Sequence, residues 1–528
     1  RRGMDGAASD RFSAPDGQPA SRSRQTDQDR LDQEHVDQDG LDHARASAAQ
    51  AAYVEGLRAL RDGAVGRAIP LLQQAVAHLP ADPGRRRNLV RALLAGGQYS
   101  ATVCQAQDGL RHAPDDAELH FALGSALAEL GQTQEAATAL TRALTLRPGH
   151  APTWLNLANL LVDQDDLPTA ETLCRTALDL DPALPEAQAS LGYMLTRQGR
   201  LTEAVAACDA AIRLRPDFAQ AHWNRAIALL LDGELRAGFA AYEWRKRHAH
   251  FTAAFPALPG PAWDGSSPAG RTILLRAEQG AGDTIQFARY LRLIRDAGGT
   301  PVLACANALA PLFRGMNGCA VAAACGPWPR YDAWADLASL PLLFGTTLET
   351  IPLAAGYLAA EPERAARWRS RLPGPPAVGI AFAGNRQHTG DRRRSVPPTL
   401  LAPLLAMPGI TFINVQHGPE AGALGLPDLT AQLPDYAETA ALMSALDLVI
   451  TVDTSVAHLA AALGVRTWIM LPHAPDWRWM LGRSDTAWYD SVRLYRQPVP
   501  GAWDHVIAAV AGDLAGWMSA RMDNQRRS

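Results

Sequence analysis

The sequence predicts two architectures in series: an all-α solenoid of repeated helix pairs, then an α/β region made of two parallel-sheet halves. Three observations carry that expectation. Pro80, Pro114, Pro148, Pro182 and Pro216 stand 34 residues apart. Beyond about residue 270 this period gives way to β-branched runs separated by glycine loops and helical stretches. In Leu446 to Pro472, Leu448 to Val452 reads as a strand and Asp453, Thr454 and Ser455 as helix-capping types. The run to Leu463 then reads as helix, Gly464 as its stop and Val465 to Leu471 as the next strand. That is one strand, helix, strand unit of a parallel sheet.

Composition narrows the function classes. With 528 residues, 47% of them hydrophobic, the chain can bury a large core and is expected to hold two or three domains. Its net charge of -4 gives no electrostatic reason to expect nucleic acid and suits neutral or small anionic ligands. No run reaches the roughly 18 apolar residues of a membrane span, and the N-terminus lacks an apolar signal core, so a soluble, unexported, cytoplasmic protein is expected. Among the six cysteines there is no C-x-x-C pattern. Cys174 and Cys208 fall at equivalent repeat positions amid apolar neighbours and read as buried small hydrophobes, with no disulfide expected.

Taken in order, residues 1–45 are rich in Asp, Gln, Arg and Ser, and are expected to be a disordered tail. The first methionine is Met4, and the sequence leaves the natural start residue open. Residues 46–250 form the repeats. Turn positions Gly63, Gly97, Gly131, Asp165, Gly199 and Gly233 share the 34-residue spacing of the prolines. Leu89, Leu123, Leu157 and Leu191 mark one first-helix position, and Ala143, Ala177 and Ala211 one second-helix position. With Trp154, and Gly or Ala at Gly124, Ala158, Gly192 and Ala226, these residues closely resemble the tetratricopeptide repeat. A helix pair cannot bury its apolar face alone, so the repeats stack and leave a concave groove suited to a protein or peptide. The array serves as a recruiting surface or, alternatively, as a spacer or dimerisation element.

Residues 251–270, with Pro256, Pro259, Pro261 and Pro268, read as a linker. Residues 271–372 form a first Rossmann-like half, with a strand at Arg271 to Arg276, a glycine loop to Asp283, a helix from Thr284 to Asp296 and a strand at Pro301 to Ala304. Residues 373–528 form the second half, opening with the strand Ala377 to Phe382. Two such halves are expected to face each other across a cleft that holds the site.

Four stretches carry candidate chemistry. In Gln279-Gly280-Ala281-Gly282-Asp283-Thr284, Gly280 and Gly282 allow backbone to approach a substrate, and Asp283 either caps the helix or acts as a general base. Gly384 to Pro397 holds Arg392, Arg393 and Arg394, either a solvated charge run or a grip on phosphate oxygens. Gln416 and His417 end a strand, as nucleotide contacts or an ordinary polar turn. Asp476-Trp477-Arg478-Trp479, with Trp488 and Tyr489, supplies aromatics that could stack on a ligand, although packing is the preferred reading. At the helix start after Leu448 to Val452, Thr454 and His458 share one face and could meet a phosphate; otherwise Asp453 or Thr454 caps and His458 is interior.

Together, Gln279 to Asp283, Asp391 to Ser395, Asp453 to Ala460 and Asp476 to Trp479 make residues about 265 to 520 similar to the glycosyltransferase family 9, or heptosyltransferase-like, domain. The whole chain resembles bacterial proteins that join tetratricopeptide repeats to such a domain. That resemblance implies a GT-B fold and an inverting transfer from a nucleotide-diphosphate sugar, the donor substrate, with no metal and no cofactor. By motif position Asp283 matches the general base, Arg394 the basic phosphate contact, and Thr454, Ser455 and His458 the diphosphate loop. Asp453 suits a sugar hydroxyl or a cap, because a carboxylate beside a diphosphate would repel it. Two positions depart from the pattern. Arg394-Ser395-Val396-Pro397 replaces a Lys before x-Trp-Pro, and His417 stands where related chains often carry Lys. The alternative function is a non-catalytic repeat scaffold with a degenerate nucleotide-binding domain.

Overall fold

The computed structural model describes residues 43–352, 356–374, 376–386, 390–417 and 420–527. The tail expectation for residues 1–42 lies outside them. From residue 43 the chain runs as antiparallel helix pairs, such as Ala117–Glu129 with Thr133–Leu146 and Pro185–Arg197 with Leu201–Leu214. Gly63, Gly97, Gly131, Gly199 and Gly233 all adopt positive φ between the helices of a pair, and Asp165 takes the same conformation at 67°. This explains the spacing, since the turn needs the left-handed region and Asp is among the few other residues that enter it. Small residues sit where paired helices touch. A Cβ on Gly124 would lie 2.6 Å from Leu140 Cγ, and one on Gly192 2.4 Å from Cys208 Sγ.

The described residues divide into two compact units, one ending at Asp163 and the other beginning at Gln164, and the division falls within the repeat array. In the first unit, Leu72, Leu89, Leu119 and Leu140 are buried between successive pairs. Asp82 and Asp116 cap the following helices, accepting from the backbone N–H groups of Gly84 and Arg85, and of Glu118 and Leu119.

The second unit joins the remaining repeats to the α/β region. Its strands are β1 (Thr272–Arg276), β2 (Thr300–Cys305), β3 (Ala320–Ala323), β4 (Ala333–Asp336), β5 (Ala377–Ala381), β6 (Thr411–Asn414), β7 (Leu448–Val452), β8 (Thr467–Leu471) and β9 (Val492–Arg496). They form two sheets, ordered β3-β2-β1-β4 and β6-β5-β7-β8-β9, with every pairing parallel. In β5, β7 and β8 every residue is buried, as expected where helices cover both faces. The strand order reverses between β1 and β4 in the first sheet and between β5 and β7 in the second. Ligands of open α/β sheets bind at the carboxyl ends of strands at such reversals. Trp263, in the segment expected to be a linker, is buried and donates its backbone N–H to the Trp334 carbonyl, so that this segment lies along β4.

One hydrophobic core crosses the second unit. Leu230, Leu235 and Phe239 of the last repeats share it with Ile285 and Phe287 of the first half and Trp477 and Trp488 of the second. Phe239 is the hub, with its ring 5.5 Å from that of Trp477 and 6.4 Å from those of Phe287 and Trp488.

Candidate functional site

Loops leaving the carboxyl ends of β1, β5, β6 and β7 converge on a cavity of about 1090 Å³ in the second unit. All ten expected site residues line it: Asp283, Gly280, Gly282, Arg394, Gln416, His417, Asp453, Thr454, Ser455 and His458. Groups from both halves therefore meet in one space.

The β1 loop presents Asp283 on the first turn of the helix Ala281–Phe287. Its Oδ2 accepts the Gly280 N–H at 3.0 Å, so it caps that helix, and its Oδ1 accepts from the Arg478 guanidinium. Burial pushes the Asp283 carboxyl up, Asp476 adds to that, and Arg478 pulls the other way without reversing it. The result is a carboxylate with raised proton affinity at a cavity wall, the property a general base needs.

Arg478 is the residue that sequence reasoning left in a packing cluster. Buried at 7% exposure, it also bonds Asp476 at 2.8 Å and donates to Gln286 Oε1, while its guanidinium lies 4.3 Å from the Trp477 ring centroid. The aromatic neighbours follow the packing expectation: Trp477, Trp479, Trp488 and Tyr489 are all buried. The signal for Arg478 was its place between two tryptophans and two residues after an acid; its pairing with Asp283, 195 residues away, had none.

On the second half, the helix Ser455–Ala462 opens from Thr454 at the end of β7. Thr454 Oγ1 is buried without a hydrogen-bond partner among the described residues, and Ser455 Oγ accepts from Tyr436 at 3.0 Å. Asp453 is pushed up to about 6, first by burial and then by Asp476, against the pull of Arg478 and Arg394. Arg394 ends a single helical turn, Asp391–Arg394, and is aimed by Asp391 Oδ1 at 3.0 Å. A Cβ on Gly384 would fall 2.2 Å from Asp391 and 2.5 Å from Arg394, so glycine there lets the basic group lie against the β5 loop. His417, exposed, lines the same cavity.

Three expected contacts take a different form. Gln416 accepts the N–H groups of Phe382 and Ala383, both at 3.0 Å, and donates to the carbonyls of Ala383 and His417. All its bonding capacity holds the β5 and β6 loops together, which leaves none for a nucleotide. Gly282 faces His458 instead of an open approach for substrate, since a Cβ there would sit 2.8 Å from the imidazole Cδ2. His458 is interior, 4% exposed, with Nδ1 2.9 Å from the Tyr489 hydroxyl and its ring stacked on Trp479. Burial and the nearby Arg478 and Arg289 keep it well below the usual imidazole range. It is a neutral floor where the two halves touch, and adds no positive charge for a diphosphate.

Against known families, residues 87–151 and 155–217 match the tetratricopeptide repeat, and residues 434–469 match glycosyltransferase family 9 (heptosyltransferase). The second match spans β7, Asp453, Thr454, Ser455 and His458. The chain thus joins a tetratricopeptide-repeat array to a segment that matches glycosyltransferase family 9. Protein FlbA of Caulobacter vibrioides is 31% identical over 319 residues, covering 54% of this chain and 53% of that protein. The chain thus spans about half the length of the curated relative it matches. Among solved structures, a thermophilic TPR protein of Thermus thermophilus is 24% identical over 35% of this chain and all of its own, at a TM-score of 0.32. PilF of Pseudomonas aeruginosa is 17% identical over 39% of this chain and 93% of its own, at 0.33. Among the described residues, no helix of this chain is long and apolar enough to cross a membrane.

Proposed function

We propose that the chain is an inverting, metal-independent glycosyltransferase of GT-B type, moving a sugar from a nucleotide-diphosphate donor to an acceptor hydroxyl. Residues 271–372 supply the base and 373–528 hold the donor, while the repeats of 46–250, reached through the 251–270 segment, engage a protein or peptide. One observation carries this reading: residues of both halves, Asp283 on one and Arg394, Thr454 and Ser455 on the other, line a single cavity. Asp283 takes the proton of the attacking acceptor hydroxyl. The acceptor oxygen bonds the anomeric carbon as the bond to the departing diphosphate breaks. Arg394 and the backbone N–H groups at the start of Ser455–Ala462 stabilise the charge that builds on that diphosphate. Asp453 faces a sugar hydroxyl, and the buried Thr454 Oγ1 offers a further polar contact. The six free cysteines accord with a cytoplasmic setting.

The test pairs binding with turnover. Uridine, guanosine, adenosine, cytidine or thymidine diphosphate should raise the melting temperature of the full chain. Asp283→Asn should lower transfer by at least about 100-fold and change diphosphate affinity less than twofold. Near wild-type transfer by that variant would remove the base assignment. The rival reading, a repeat scaffold that binds nucleotide without turnover, draws on the engagement of Asp283 by Arg478 and Gly280. It predicts stabilisation by a diphosphate with neither donor hydrolysis nor transfer.

A further inference from the structure

Part of the cavity wall comes from the repeats. Trp223 and Ile227 lie four residues apart on the helix Ala219–Leu231, so they leave one helical face, and both line the cavity while only half-buried. Tyr242 stands beside them, its ring centroid 4.8 Å from that of Trp223 and its hydroxyl 2.9 Å from Gln279 Nε2, in the loop that leads to Asp283. Elsewhere the lining mixes arginines with acids, and the candidates for holding the diphosphate, Arg394, Thr454 and Ser455, belong to the second half. The diphosphate of a donor finds no partner on Trp223 and Ile227, which offer apolar surface.

The apolar surface also continues away from the cavity. Tyr193 is 34 residues before Ile227, hence at the same position of the preceding first helix, Pro185–Arg197, and is 38% exposed. Packed helices lie about 8–10 Å apart. A ligand touching Ile227 and Tyr193 while presenting a hydroxyl to Asp283 must therefore be extended, with apolar groups spaced along its length. A polypeptide has that chemistry, whereas a saccharide offers hydroxyls in place of apolar branches.

Resting on the transferase reading, we propose that Trp223 and Ile227 form the acceptor subsite, and that the acceptor is an extended polypeptide. An apolar side chain near its serine or threonine seats on this pair and delivers the hydroxyl to Asp283, while the chain leaves over Tyr193. The closing repeat then sets specificity in the reaction itself, beyond recruiting a partner.

The full chain is incubated with degenerate peptides centred on Ser or Thr and a panel of sugar nucleotides, and modified peptides are sequenced by mass spectrometry. Nucleoside diphosphate binding is followed in parallel by calorimetry. Modified peptides should be enriched in Phe, Leu, Ile or Trp within about four residues of the hydroxyl. Trp223→Ala should reduce kcat/KM for the best peptide at least tenfold, through KM, with diphosphate Kd within twofold of wild type, and Trp223→Phe should keep most of the rate. Ile227→Gln, which preserves the helix, gives the same readout should Trp223→Ala fail to fold. Absence of apolar enrichment, or unchanged KM in both variants, overturns the proposal. Diphosphate binding without any peptide transfer also overturns it and leaves the donor site standing. No diphosphate binding by the wild type removes the transferase reading and the subsite with it.

Discussion

Asp453 shows how burial at this site trades stability for poised chemistry. Its carboxyl is held near 6 instead of 3.8, because it is desolvated and faces Asp476. Between about pH 4 and 6 the folded chain therefore binds more protons at this group than the unfolded chain, so its contribution to stability falls as pH rises through that window. Above it, the cost of the ionised form is complete. Asp453→Asn should flatten this part of the pH dependence and make the protein more stable than wild type at pH 7. Urea midpoints at pH 4, 5, 6 and 7 check it; parallel curves for the two proteins would show that Asp453 is not the titrating group. The same residues show what could be seen in the sequence. Asp283, Thr454 and Arg394 were visible because each sits beside a strand end with glycine or capping neighbours, a local signal. The pairing of Arg478 with Asp283 and the entry of Trp223 into the cavity arise from tertiary contacts, and local pattern carries no trace of those. For Gln416 the sequence leaves a nucleotide contact and a polar turn both open, and its bonds to the β5 and β6 loops follow the second; Gly282 lines the cavity but lies against His458, since polar or small residues near a site serve the scaffold as readily as the ligand.

Among the elements, the turn from Glu243 to Arg247 fastens the last repeat to the first α/β half. Arg245, 3% exposed, donates to Glu278 Oε1 at 2.9 Å and to Ser339 Oγ at 2.8 Å. Glu278 lies just before the Gly280 loop and accepts the N–H of Leu337 at 3.0 Å, which ties the ends of β1 and β4 together. Burial pushes Glu278 up while Arg245 opposes the shift, so the ion is tolerated only with its partner present. Arg245→Met should cost about 3–5 kcal/mol in urea unfolding, the range for leaving a buried charge unpaired. Adding Glu278→Gln, which removes that charge and keeps an acceptor for Leu337, should restore at least half of the loss. Additive losses in the double variant would mean that the two side chains stabilise separate elements. Sequence periodicity located both elements that this pair joins. The join itself was unreadable, because a buried Arg and a Glu 33 residues apart look like any two surface charges until the fold is known.

For the molecule as a whole, the useful boundary is where the core stops, and that differs from where the repeat signature stops. Residues 164–528 form one compact unit whose core runs from the last repeats into both α/β halves. A fragment beginning at residue 251 would lose Leu230, Leu235 and Phe239 from against Phe287, Trp477 and Trp488, which are at most 2% exposed in the intact chain. Baring even two of these large side chains costs about 3–6 kcal/mol, a large share of the 5–15 kcal/mol that holds a typical domain together. Residues 164–528 alone should therefore melt cooperatively and show the same diphosphate-induced stabilisation as the full chain. Residues 251–528 should aggregate or bind hydrophobic dyes, and lose that stabilisation. The division lies in the turn after Ala151–Asp163, where the cut leaves the following helix, Leu167–Leu180, intact. If the 251–528 fragment instead folded with full diphosphate response, the repeats would be dispensable to the α/β core, and the shared aromatic hub around Phe239 would be a contact of convenience instead of a structural requirement.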